Sequence, residues 1–162
     1  MNLDHRYPPG SPHHALATWL DAWRAQDWDR MVMASQPSWR SRQEDARGML
    51  LSAYERLRLA SYTVPIKTVP IVRIDNPLSD ATGWQPFVCF VDIRCRTRYA
   101  VIGDDGQPIR DLWAAILARV VRQHSDGTTA ERDDPAGAWW TNPISMTCGH
   151  LAREKDHVPV AV

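Results

Sequence analysis

Residues 87–102 read FVCFVDIRCRTRYAVI and carry the clearest periodic pattern in the chain. The odd-numbered positions are apolar or uncharged, whereas the middle even-numbered positions are charged: Asp92, Arg94, Arg96 and Arg98. Successive side chains of a strand point to opposite faces, so this alternation predicts a long β-strand with one uncharged face. We expect the uncharged face to pack on the core and the charged face to point outward.

The sequence on either side of this stretch indicates further strands. Residues 103–106 (GDDG) predict a turn, and a strand is expected over residues 109–124, although an alanine-rich run of this kind is also compatible with a helix. A polar hairpin loop at 125–137 and a last strand at 138–148 follow. Upstream, Pro65 and Pro70 each lack a backbone donor, which predicts a bent, bulged or edge strand at 62–74 before a loop at 75–86.

Helical spacing dominates the first third of the chain. Ser11 and Pro12 are typical of the N-cap and first position of a helix, which should run to about residue 26. Its apolar face consists of Leu16, Trp19, Leu20 and Trp23. Asp27 should cap a shorter helix that Pro37 stops. The capping-box sequence SRQE at 41–44 predicts a third helix that ends near residue 58, with the stripe Met49, Leu50, Ala53, Tyr54 and Leu57.

Helices followed by antiparallel strands are typical of the α+β class. We expect three N-terminal helices packed in the concavity of a bent antiparallel sheet of four to six strands. Residues 11–148 should form this single domain, with a flexible arm at 1–10 and a tail at 149–162. A shape of this kind can enclose a pocket.

Composition excludes few functions. The 162 residues include 19 basic and 19 acidic side chains, so the net charge gives no general attraction to nucleic acid or anionic lipid. We expect no membrane span, because no run of 18 apolar residues exists. Three cysteines without a disulfide framework, and an N-terminus without a signal peptide, favour a cytoplasmic location.

No sequence motif indicates a cofactor or a metal. The chain lacks a G-x-S-x-G elbow, a phosphate loop and a dinucleotide fingerprint. Cys148, His150 and His157 do not have the spacing of zinc ligands. We therefore expect neither a cofactor nor a metal site.

Three stretches carry a resemblance to a known superfamily. They are ALATWLDAWRAQDWDRMVMASQPSW at 15–39, the arginine-bearing long strands, and GAWWTNP at 137–143. With this order of helices and strands, the chain resembles the nuclear transport factor 2-like superfamily. That superfamily includes relatives of ketosteroid isomerase and scytalone dehydratase, as well as epoxide hydrolases, polyketide cyclases, transport adaptors and secretion-system subunits.

The resemblance implies a cystatin-like cone with a cavity between the helices and the concave face of the sheet. It also implies a homodimer through the convex face, where Asp92 and the three arginines are expected. Asp92 with a nearby arginine is one candidate for acid–base chemistry, as the epoxide hydrolases of the superfamily combine a carboxylate with arginine. The favoured alternative is a charge pair between Asp92 and either Arg94 or Arg119 on the sheet face. A nucleic-acid-binding arginine stripe is the weakest interpretation.

Polar groups on the inward faces are better candidates for a pocket. The expected set is Tyr54, Thr97, Tyr99, Arg122 and His124. A tyrosine hydroxyl can donate to a developing oxyanion, and histidine can transfer protons near neutral pH. Trp19, Trp23 and Trp140 are candidates for aromatic walls. The favoured alternative is that the tyrosines are core residues and that Arg122 and His124 lie at a solvated strand end.

These patterns predict a protein that binds an apolar small molecule in a tryptophan-lined pocket. If it is an enzyme, a cofactor-free isomerisation, dehydration or hydrolysis would suit the superfamily. The alternative is a non-catalytic, dimeric assembly module with a filled core. An open cavity with convergent polar groups would favour the first, and a filled core with an apolar outer patch would favour the second.

Overall fold

The computed structural model describes residues 7–65, 72–75 and 87–143. These residues contain four helices: α1 (Pro12–Ala25), α2 (Trp28–Met33), α3 (Pro37–Arg40) and α4 (Ala46–Tyr54). They also contain five strands: β1 (Leu57–Thr63), β2 (Val72–Asp75), β3 (Phe87–Ile102), β4 (Pro108–Gln123) and β5 (Ala138–Thr141).

The strands form one curled antiparallel sheet with the order β1-β3-β4-β5. β2 pairs with the first residues of β3 and β1 pairs with its last residues, so these two strands follow one another along the same edge of β3. The predicted α+β class with an antiparallel sheet is confirmed. The described residues form four helices rather than the three that we expected.

The two long strands confirm the period-two pattern. β3 has the predicted bounds, and β4 is a strand rather than the helix that its alanine-rich run left open. The uncharged face of β3 is buried through Val91, Ile93 and Cys95, while Arg94 and Arg96 are exposed. The buried face packs with residues of α1 and α4 into one hydrophobic core.

The first two helices begin as the sequence predicts. The Ser11 hydroxyl accepts a hydrogen bond from the backbone N–H of His14 at 3.1 Å, and Pro12 is the first helical residue. Gln26 forms the C-cap of α1. It has a left-handed φ of 56°, and its N–H donates to the carbonyls of the last turn. The Asp27 carboxylate then caps α2 by accepting the backbone N–H of Arg30.

The predictions of a capping box at 41–44 and of a helix stopped by Pro37 are wrong. α2 already ends at Met33, and Pro37 begins the one-turn α3 because its fixed φ suits the first helical position. The cap of α4 is Asp45, whose carboxylate accepts the N–H of Gly48 at 2.9 Å, whereas the Ser41 hydroxyl donates to the Ser38 carbonyl in the preceding turn.

The boundary between the third predicted helix and the first predicted strand is also wrong. α4 ends at Tyr54, and Leu57 begins β1, where Leu57 and Leu59 alternate as buried residues with exposed neighbours. β1 ends at Thr63 and has a register shift between Leu59 and Ser61, so the irregularity precedes Pro65. Of the loop predicted at 75–86, Asp75 instead ends β2, and Pro70 and residues 76–86 lie outside the described residues.

The last strand is shorter than predicted over its described part. β5 ends at Thr141, and residues 144–148 lie outside the described ranges.

Cys89 and Cys95 are buried thiols that form no disulfide, and burial raises the pKa of Cys95 to about 12. None of the described helices combines the length and the apolarity that crossing a bilayer requires.

Candidate functional site

An open groove lies where the N-terminal half of α1 and α2 meet the ends of β4 and β5. It encloses about 600 Å³, which is within the range of small-molecule sites. We call it the α1–β5 groove. Its larger and polar lining side chains are Ser11, His14, Thr18, Arg30, Met33, Arg122, Trp139 and Trp140, and the remainder of its lining is glycine and alanine.

A short non-local pairing holds the two sides of the groove together. The N–H of Gln36 donates to the carbonyl of Thr141 at 2.9 Å, and the N–H of Thr141 donates to the carbonyl of Ala34 at 3.2 Å. Ser35 therefore forms a parallel bridge to Thr141. Because this segment directly follows α2, the bonds place α2 beside the two tryptophans of β5.

The aromatic wall of the groove consists of Trp139 and Trp140, both half-buried. The Trp140 indole N–H donates to the carbonyl of Gln123 at 3.2 Å, and the Arg40 guanidinium lies 5.1 Å from the Trp140 ring. The Arg122 guanidinium lies 5.6 Å from the Trp139 ring. Both indoles are thus held by neighbouring groups while part of each stays accessible.

The charged lining of the groove is cationic. Among the described residues, its lining contains Arg30 and Arg122 but no aspartate or glutamate. Arg122 donates from Nε to the carbonyl of Glu131 at 2.9 Å and from Nη2 to the carbonyl of Asp134 at 2.6 Å. These acceptors are backbone carbonyls, so they orient the guanidinium without cancelling its charge.

The hairpin between β4 and β5 borders the groove and is tied by its own side chains. His124 Nδ1 lies 2.9 Å from Thr128 Oγ1, and His124 Nε2 lies 2.7 Å from Asp134 Oδ2. The N–H of Ala136 and then the bond to His124 hold the pKa of Asp134 below its ordinary value. Asp126 likewise has a lowered pKa, because it accepts both the N–H and the hydroxyl of Thr128.

Gly137 lets this hairpin lie close to β4. A Cβ atom at position 137 would lie 2.5 Å from the Cβ of Ala130 and 3.2 Å from Nε of Arg122. A side chain there would displace the hairpin or the guanidinium, so glycine is needed for the close approach.

The predicted site residues fall into two places. Arg122 and Trp140 line the groove, and His124 lies in the adjoining hairpin. The others lie in the interior and are almost fully buried: Trp19, Trp23, Tyr54, Thr97 and Tyr99. Their rings contact one another, with centroids 5.5 Å apart for Trp19 and Tyr54, 4.8 Å for Trp23 and Tyr54, and 6.4 Å for Trp23 and Tyr99.

Asp92 lies on the outer face of the sheet and forms the cross-strand pair that the sequence offered as an alternative to catalysis. Arg119 donates to it from Nε at 2.9 Å and from Nη2 at 3.1 Å, and the two residues are direct partners in the β3–β4 register. The bond to Asp92 raises the pKa of Arg119. The Arg119 guanidinium also lies 4.0 Å from the Phe90 ring.

Sequence reasoning missed several groove residues, among them His14, Arg30, Met33 and Trp139. The doubled tryptophan at 139–140 was a usable signal, because two large rings in succession on a strand cannot both face the same core. Nothing in the local sequence marks Arg30 or Met33. Among the described residues, no three His, Cys, Asp or Glu side chains are grouped so as to hold a metal ion.

Comparison of the chain with known protein families, curated proteins and solved structures finds no match.

Proposed function

We propose that this protein binds a small molecule with an apolar body in the α1–β5 groove. The observation that carries the proposal is the combination of an open space of about 600 Å³ with a wall of two tryptophans and a few polar groups. Ligand sites usually combine apolar walls with a small number of polar groups that fix the orientation of the ligand.

The exposed side chain of Met33 also supports the binding of an apolar molecule in the groove. It is 61% exposed although it borders the groove, and methionine is a flexible side chain that adapts to irregular apolar surfaces. A bound apolar molecule would remove Met33 and parts of both indoles from water. Burial of apolar area contributes roughly 25 cal/mol per Å², so even a modest contact would give measurable affinity.

Binding has more support than catalysis. Both ring nitrogens of His124, the candidate proton-transfer group, already lie within hydrogen-bond distance of partners in the hairpin. Tyr54 and Tyr99 lie in the interior, apart from the groove. Membership of the nuclear transport factor 2-like superfamily belongs to the same proposal, supported by the order of helices and strands. Such membership would be compatible with a protein that binds a small molecule and catalyses none of the superfamily's reactions.

The test uses N-phenyl-1-naphthylamine, an uncharged dye that fluoresces in apolar sites, with the full chain. We expect saturable binding that Met33→Ala weakens by about threefold, because part of the apolar contact is lost. Met49→Ala is the matched control, since Met49 is 54% exposed on α4 and does not line the groove. Absence of saturable binding, or equal weakening by both variants, would overturn the proposal.

A second candidate function is assembly into a homodimer through the outer face of the sheet. The closely packed interior and two exposed apolar residues of β4, Ile109 and Leu117, favour it. Arg94 and Arg96 are exposed on the same face, so a twofold contact there would bring like charges together. The assembly role therefore has less support than the groove.

A further inference from the structure

We infer that the molecule bound in the α1–β5 groove is an amphipathic anion, with an aromatic or otherwise apolar body and one carboxylate-like group. The inference rests on the proposed function and adds the charge of the ligand. It comes from the two arginines of the groove, Arg30 on α2 and Arg122 on β4.

The two arginines come from different elements, α2 and β4, and line the same groove. Within the described residues, neither has a carboxylate within ion-pair distance. The Asp27 carboxylate accepts the backbone N–H of Arg30 rather than its side chain. The Asp134 carboxylate of the hairpin feels the Arg122 charge, which contributes to its lowered pKa, but its hydrogen bonds go to His124 and the N–H of Ala136.

Several other arginines of the described part of the chain are paired with an acid instead. Arg24, Arg47, Arg56, Arg98 and Arg119 each form an ion pair with an aspartate. In a chain with equal numbers of acidic and basic residues, two cations that share a groove without an acidic lining residue create a local positive potential. An anion in that space would be attracted by both.

Arg122 is also already oriented for such a ligand. Its bonds to two backbone carbonyls and its contact with Trp139 fix the plane of the guanidinium. The donors of Nη1 and the second N–H of Nη2 are not used by those bonds. Because the group is held before the ligand arrives, little side-chain entropy is lost on binding. The apolar body of the ligand would pack against the tryptophans, and its anionic group would pair with the guanidinium.

The experiment compares two dyes with the same ring system and different charge. N-phenyl-1-naphthylamine is neutral, and 8-anilinonaphthalene-1-sulfonate is an anion. We expect the anionic dye to bind about tenfold more tightly at low salt, as a charge-assisted hydrogen bond contributes affinity of that order. The difference should shrink when sodium chloride is raised, because salt screens the attraction.

Arg30→Gln provides the decisive variant, since Arg30 is exposed and its replacement should leave the fold intact. It should weaken the anionic dye about fivefold and leave the neutral dye within about twofold. Arg94→Gln is the matched control, because Arg94 is an exposed arginine on the outer face of the sheet. It should change neither affinity.

The outcomes separate the two proposals. If the neutral dye binds at the groove and the anionic dye binds no better, the inference about charge is wrong and the binding function stands. If Arg30→Gln and Arg94→Gln weaken the anionic dye equally, general electrostatic attraction explains its affinity and the inference is also wrong. If the neutral dye shows no saturable binding, the proposed function is overturned, and the inference about charge that rests on it is overturned as well.

Discussion

At the scale of single residues, Trp23 shows how one side chain joins the helical layer to the sheet. Its ring is fully buried, its centroid lies 4.8 Å from that of Tyr54, and its indole N–H donates to the carbonyl of Leu57 at 2.6 Å. The first contact belongs to α4 and the second to the start of β1. Trp23 therefore couples apolar packing with a buried hydrogen bond at one position.

Trp23→Ala should lower the free energy of unfolding by about 3–5 kcal/mol, because it leaves a cavity in the core and an unsatisfied carbonyl at Leu57. Urea denaturation followed by circular dichroism measures this quantity. Trp28→Ala is a useful comparison, since Trp28 is also buried but lies on the shorter helix α2. A loss below about 1 kcal/mol for Trp23→Ala would contradict the assignment of Trp23 to the core.

At the scale of elements, the quality of each sequence prediction follows the strength of its periodicity. β3 alternates without interruption over 16 residues, so its bounds and buried face were predictable. The end of α4 was not, because Leu57 fits both a helical spacing from Tyr54 and a strand spacing to Leu59. Likewise, Ser41 and Asp45 are both acceptable N-caps, and only the packed structure selects Asp45.

The hairpin between β4 and β5 should be sensitive to acid. The pKa of Asp134 in the folded state lies below its ordinary value of 3.8. The hydrogen bonds of its carboxylate to Ala136 and His124 therefore stabilise the folded state fully at pH values above 3.8. This stabilisation is lost as the pH falls through the folded-state pKa. Asp134→Asn should therefore be less stable than the wild type at pH 6, with a difference that narrows toward pH 3.

Denaturation by urea at several pH values tests this prediction. Asp133→Asn is the control, because Asp133 is an exposed neighbour that makes none of these bonds. Asp133→Asn should not reproduce the loss of stability that Asp134→Asn causes at pH 6. A wild-type advantage over Asp134→Asn that grows on acidification would show that the sign is wrong.

At the scale of the whole molecule, the interior and the groove have separate roles. The curve of the sheet holds a tightly packed set of aromatic side chains, whereas the groove lies at the other edge of the sheet, beside β5. A ligand in the groove would therefore not need to displace core side chains. The homodimer proposal depends on a third part of the molecule, the outer face of the sheet, where Arg94 and Arg96 are exposed.

If the outer face forms a homodimer, association should strengthen as salt is raised, because screening reduces the repulsion between the arginine rows. Leu117→Arg should weaken the dimer by adding another positive charge at a partly apolar position, where Leu117 is 36% exposed. Met49→Arg is the control on α4, away from the sheet. Sedimentation velocity over a range of concentrations measures the assembly, and a monomer under all conditions would contradict it.

The amino-acid sequence alone determined that helices precede an antiparallel sheet, where β3 begins and ends, and which face of β3 is buried. These features depend on local periodicity and on caps such as Ser11 and Asp27. Only the tertiary structure decided where a ligand could bind. The groove requires Arg30, Arg122 and Trp139 to meet, and they meet because the segment after α2 forms hydrogen bonds with Thr141. Such a pairing joins distant parts of the chain through backbone groups that every residue type carries, so no local pattern of side chains predicts it.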